Sequence, residues 1–168
     1  MGNILRSPQT SNGILLTPRS GSHSLAVAAM RHFWPHVTMD TEGCHPASQF
    51  PVQETYTGIQ TNLAVIVRNP IERFRSMIAH RHLDVDEQLT RPMYGALEQG
   101  NFVRYFRFED QLNDAAEWLG LPVPLPQEDA TSEADKPTLT PEQEARVREI
   151  YADDIILWES LQPRLIVY

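Results

Sequence analysis

Six consecutive residues, Arg19, Ser20, Gly21, Ser22, His23 and Ser24, set a guanidinium, three hydroxyls and an imidazole around one glycine. Such a set gathers donors for an anion, because hydroxyls and ring N–H groups donate and arginine offers a planar fork that stays charged. A second set lies further on, where Ser76 follows Arg68 by eight residues. A charge-assisted bond from Arg68 and a hydroxyl bond from Ser76 suit a phosphate. A third pair, Glu42 and His45, falls in a polar stretch, and either side chain can take a proton from an attacking hydroxyl.

The elements around the first set are legible. Ile14, Leu15 and Leu16 form a short apolar run, Pro18 and Gly21 end it, and Leu25, Ala28, Ala29, His32 and Phe33 recur at helical spacing. This predicts a strand, a tight loop and a helix. The first amides of a helix lack intrahelical partners and its dipole is positive there, so residues 20–24 can cradle a phosphate. A serine-capped helix without a ligand explains the same residue types. Neither the Gly-Lys-Ser/Thr ending of a Walker A loop nor a Gly-x-Gly-x-x-Gly dinucleotide fingerprint is present.

After Pro35, residues 36–40 alternate and predict a short second strand, and residues 41–62 read as a long irregular connection holding Glu42 and His45. Residues 63–67, Leu-Ala-Val-Ile-Val, predict a central strand covered on both faces. Asn69 as cap, Pro70 at the first helical position and Glu72 reaching back predict a helix start, with Ile71, Phe74 and Ile78 toward the core. On its polar side Arg68, Glu72 and Ser76 come together; a bare Arg68–Glu72 ion pair is the plainer account of that arginine. His80 and His82 read as surface residues at the helix end. Residues 103–108 predict a strand, and Leu112, Ala115, Ala116 and Leu119 a helix stopped by Gly120 and Pro122. Residues 122–139 form an acidic, proline-rich surface loop. Thr140 and Gln143 make a capping box before a final helical region, and residues 165–167 suggest a closing strand.

At 168 residues the chain is expected to be a single domain that buries about two-thirds of its unfolded surface. Residues 1–12 are expected to be a mobile end. The formal net charge of -8 argues against nucleic acid or anionic membrane as a partner, so any phosphate site must be local. One cysteine, Cys44, excludes an internal disulfide framework and gives no support to a cysteine-rich zinc site, so no metal is expected and a cytoplasmic setting is the default. No apolar run approaches the roughly 20 residues that span a bilayer.

Together these residues resemble the sulfotransferase family that uses 3′-phosphoadenosine 5′-phosphosulfate (PAPS). Residues 17–25, Thr-Pro-Arg-Ser-Gly-Ser-His-Ser-Leu, are similar to the family's 5′-phosphosulfate loop. Residues 67–76, Val-Arg-Asn-Pro-Ile-Glu-Arg-Phe-Arg-Ser, are similar to its 3′-phosphate segment. Residues 105–112 with 118–122 look like its later strand and helix, and Tyr151 with Asp154 resembles its final helix. Arg19 stands where the family usually carries lysine, the loop lacks the family's aromatic residue at Ser24, and no Gly-rich Arg-x-Gly-x-x-Gly segment occurs near the C-terminus.

The resemblance implies a three-layer α/β/α domain with a mostly parallel sheet, a P-loop-like sulfotransferase fold. It implies PAPS as cofactor and 3′-phosphoadenosine 5′-phosphate (PAP) as product, held by Arg19, Ser20, Gly21, Ser22, His23, Ser24, Arg68 and Ser76. The implied activity is sulfuryl transfer to a hydroxyl or amine of a small-molecule or carbohydrate acceptor, with Arg19 stabilising charge and His45, or else Glu42, as base. The alternative is a nucleotide-binding or interaction module that keeps the phosphate grips without turnover.

Overall fold

The computed structural model describes residues 2–40, 44–92, 100–127 and 130–162. Its strands are β1 (Ile4–Arg6), β2 (Gly13–Leu15), β3 (Leu63–Val67) and β4 (Arg104–Arg107). Its helices are α1 (Ser22–Phe33), α2 (Pro70–Arg81), α3 (Val85–Thr90), α4 (Phe108–Leu119), α5 (Pro141–Ile150) and α6 (Ala152–Ser160). The protein is α/β with a four-stranded, mostly parallel sheet in the order β1-β2-β3-β4. β1 runs antiparallel to β2, with Leu5 opposite Ile14, and β2 runs parallel to β3, with Ile14 opposite Ala64. The chain divides into two compact units, Met1–Ile66 with Gln99–Ala130, and Val67–Glu98 with Thr131–Tyr168.

In the first unit the period of a strand decides the packing. Ile14, Leu16, Ala64 and Ile66 lie two apart on one sheet face and join Leu25, Ala28 and Ala29 of α1 and Ala115, Ala116 and Leu119 of α4 in one core. Burying a side chain such as Leu25, which has no exposed surface, contributes about 1.5–3 kcal/mol. Leu15, Leu63 and Val65 on the opposite face are equally buried, as the continuous apolar run of β3 requires.

Two sequence expectations for this unit are corrected. In place of the mobile end expected over residues 1–12, residues 2–12 are held: Ile4 and Leu5 are buried in edge strand β1, and the Ile4 N–H donates to the Glu54 carbonyl at 2.9 Å. Arg6 adds a two-pronged bond to the Glu54 carboxylate at 3.0 and 2.9 Å. Residues 36–40 form no strand. Val37 and Met39 do pack on the core, which explains their alternation. The ladder's place is taken by the Gln49 side chain, whose amide accepts from the Asp40 N–H at 2.7 Å and donates to the Asp40 carbonyl at 2.6 Å.

In the second unit Phe74, Met77, Ile78, Leu89, Val147 and Tyr151 form a core among α2, α3, α5 and the start of α6. Asn69 caps α2 by accepting from the Ile71 and Glu72 N–H groups, and Thr140 with Gln143 completes a capping box on α5. Glu72 turns to Arg75, at 2.8 Å, and Lys136, at 3.8 Å. Arg75 also binds Glu133 at 2.9 Å and the Pro137 carbonyl at 2.8 Å, so the second half of the proline-rich loop is tied to α2. The expected closing strand at residues 165–167 lies outside the described residues.

The helical region after Thr140 breaks at Tyr151, which is 2% exposed, with the Arg73 guanidinium 5.4 Å from its ring centre. Burial, helped by the charge of Asp154 and opposed by Arg73, pushes its phenol above the usual 10.0. Above that pH the unfolded chain releases a proton that folded Tyr151 keeps. Folding stability is therefore expected to hold below about pH 10 and to fall above it, and Tyr151→Phe should flatten that fall. Urea unfolding of both proteins across alkaline pH checks this; identical slopes would contradict it.

Candidate functional site

The loop between β2 and α1 is anchored at its start. Thr17 is buried, and its hydroxyl donates to the Ile66 carbonyl at 3.3 Å, fastening the end of β2's extension to the end of β3. The chain then turns through two left-handed residues, Arg19 at φ 59 and Gly21 at φ 80. Single left-handed residues among right-handed ones are the backbone habit of an anion-binding nest. At Gly21 the left-handed φ is unfavourable for any side chain, and a Cβ would stand 2.7 Å from Leu112 Cδ1 of α4, so that side chain would have to shift.

Gly21 is also the N-cap of α1, and it makes no side-chain cap bond. The serine-capped helix is therefore not what the loop builds. No acidic residue stands in the first turn of α1, so the helix itself sets no carboxylate against its positive end. Ser20, only 2% exposed, faces inward with an Oγ that has no hydrogen-bond partner among the described residues. Leaving such a hydroxyl unmet costs about 1–3 kcal/mol, a cost that a ligand oxygen would remove. Ser24 is buried, while Arg19, Ser22 and His23 are half-buried.

His45 reaches this loop from 23 residues away in sequence. Its side chain is exposed, and Nε2 lies 3.3 Å from Ser22 Oγ. The His23 and His45 rings meet edge to face, centres 5.4 Å apart. His45 also caps the short 3-10 turn Pro46–Gln49, its Nδ1 accepting from the Ala47 N–H at 3.1 Å. A backbone N–H can only donate, so Nδ1 carries a lone pair and, in this neutral ring, the hydrogen sits on Nε2. Nε2 is then a donor toward Ser22, whereas a base at that atom would need it bare. The other candidate base, Glu42, lies outside the described residues. Cys44 is exposed, with Gln49 Nε2 at 3.5 Å from its sulfur.

The second unit holds the other pair. Arg68 is half-buried directly after β3, and Ser76, 1% exposed, sits in the second turn of α2. Asn69 and Pro70 start that helix where the sequence places it, so both residues belong to one strand-to-helix junction. Glu72, one turn on, pairs with Arg75 and Lys136. His80 and His82 are exposed, as expected at a helix end.

Sequence reasoning missed Thr17, Ala47 and Leu112 as the residues that hold this arrangement. Pro46 has no N–H, which leaves the Ala47 amide as the first donor of its turn, and the His-Pro-Ala order carries that signal. Among the described residues no group of three or more His, Cys, Asp or Glu could hold a metal ion, and no helix is long and apolar enough to cross a membrane. Comparison of the chain with protein-family models, curated proteins and solved structures found no match.

If the Ser20 hydroxyl serves a ligand and not the fold, Ser20→Ala should leave stability unchanged or raise it by up to about 1 kcal/mol, while weakening binding of PAP. Urea unfolding together with calorimetric titration checks both halves. A stability loss beyond about 1 kcal/mol with unchanged nucleotide affinity would show a structural hydroxyl.

Proposed function

We propose that the protein is a sulfotransferase, moving the sulfuryl group of PAPS to a hydroxyl or amine of a small-molecule or carbohydrate acceptor. The observation that carries this is the buried, unpartnered Ser20 hydroxyl at the side-chain-uncapped start of α1, flanked by left-handed Arg19 and Gly21. An uncapped helix start with an inward hydroxyl and an arginine two residues before the N-cap suits a tetrahedral anion held by several donors. In this reading the 5′-phosphosulfate meets Arg19, Ser20, Gly21, Ser22, His23 and Ser24, and the 3′-phosphate meets Arg68 and Ser76. The sheet and its helices are then a three-layer, P-loop-like sulfotransferase fold.

In the transfer the acceptor oxygen attacks sulfur, the bond from sulfur to the bridging oxygen breaks, and PAP leaves with that electron pair. Negative charge gathers on the bridging oxygen. Donors already aimed at it stabilise the transition state more than the ground state, which is the part of Arg19 and the loop amides. Arginine does not release its proton, so Arg19 acts through charge and position. The acceptor's proton needs a base; with the His45 Nε2 hydrogen directed at Ser22, Glu42 takes that part in this reading. The same His45 geometry favours a second reading, a module that binds the nucleotide without turnover. Transfer from labelled PAPS to an acceptor panel separates the two, since binding without transfer supports the second.

Arg68→Ala is expected to weaken PAP binding by about 1.5–3 kcal/mol, while a nucleotide lacking the 3′-phosphate is almost indifferent. Calorimetry with the two nucleotides checks it, and equal losses would remove Arg68 from the 3′-phosphate. Arg19→Lys is expected to keep activity, and Arg19→Ala to lower turnover by about a hundredfold or more with little change in folding. Normal turnover of Arg19→Ala in steady-state assays would refute the charge role.

A further inference from the structure

We infer that His45 is a positioning residue, the middle of a one-way hydrogen-bond relay that hardens Ser22 as an anion donor. The relay runs from the Ala47 N–H into His45 Nδ1 at 3.1 Å, and from the Nε2 hydrogen of His45 into Ser22 Oγ at 3.3 Å. It rests on the reading of residues 19–24 as the anion loop. Its direction comes from one atom, because the Ala47 amide cannot accept. Moving the ring hydrogen to Nδ1, or adding a second proton, would set two hydrogens against each other across 3.1 Å and break the bond that opens the Pro46–Gln49 turn.

The relay's far end is chemically defined. A hydroxyl has one hydrogen to give and two lone pairs. With a lone pair taken by His45, the Ser22 hydrogen is left to donate, and Ser22 is the first residue of α1, where the helix dipole is positive. Donors in series polarise one another, strengthening each bond by about 10–30%. The His23 ring lies edge to face against His45, and Pro46 and Ala47, the first residues of the turn, are buried. Two hydrogen bonds and one ring contact thus orient the exposed ring with its N–H pointing to the loop. A phosphate or sulfate oxygen is an acceptor this geometry suits; a cation has no use for converging donors.

Two measurements on the whole protein test this. Nitrogen-15 spectra of labelled histidine, with the His45 signals assigned from His45→Gln, are expected at pH 7.5 to show hydrogen on Nε2 and a bare Nδ1, with or without PAP. Hydrogen on Nδ1, or a doubly protonated ring, overturns the relay without touching the anion loop. In calorimetric titrations with PAP, Ser22→Ala is expected to lose about tenfold in affinity and His45→Ala about three- to tenfold. Combining them should be no worse than Ser22→Ala alone, because His45 acts through that hydroxyl. His45→Gln, whose amide can still donate at this reach but is no base, should restore part of the loss. Wild-type affinity in His45→Ala, or fully additive losses, overturns the relay alone. Wild-type protein that binds no PAP overturns the anion reading, and the relay's purpose with it.

Discussion

The turn through Arg19, Ser20 and Gly21 is the constraint on which the rest of the site depends. Gly21 adopts φ 80 with Leu112 of α4 pressed against the position of its missing Cβ, and Thr17 is tied to the Ile66 carbonyl at the other end of the loop. Between these anchors the chain must reverse direction within a few residues. It does so with Arg19 also left-handed, an uncommon conformation for a side chain of that size. The core supplies the force that keeps it there: α1 and α4 share one apolar cluster with β2 and β3, so loosening the turn would expose Leu25, Ala115 or Leu119. A buried Ser20 without a partner is the cost of this arrangement, and an anion is the ligand that would answer it.

Such a site runs against the charge of the chain as a whole. A formal net charge of -8 repels anions at long range, but beyond about 8 Å that field is largely screened at physiological ionic strength. At contact distance in the proposed site, the guanidinium of Arg19, the first amides of α1 and the hydroxyls of Ser20 and Ser22 would act with little screening. On the proposed function, affinity for a phosphorylated small molecule would thereby be separate from affinity for nucleic acid, which requires an extended basic face.

Local signals in the sequence were readable because they report local physics. The β-branched run at Leu63–Val67, the Asn69-Pro70 helix start and the Thr140 capping box all act within a few residues, and each element forms where those residues stand. Strand β1 was not readable, since three residues are too few to show a period and their burial depends on a partner, β2, and on Glu54, 48 residues from Arg6. At residues 36–40 the alternation was true and its meaning different: Val37 and Met39 anchor the chain while Gln49 closes its backbone bonds. At the site, residue types showed which groups could grip an anion. They could not show that Ser20 would have no partner among the described residues, that Leu112 would lie against left-handed Gly21, or that the Ala47 amide would decide which nitrogen of His45 holds the hydrogen.

The most direct test of the central claim is a titration of PAP into nitrogen-15-labelled protein, followed through the backbone amides. The account predicts saturable shifts that are largest at the amides of Ser20, Gly21, Ser22, His23 and Ser24, where an anion would meet the N–H groups of the turn and of the first turn of α1. Saturating nucleotide that leaves those five amides unmoved would contradict it.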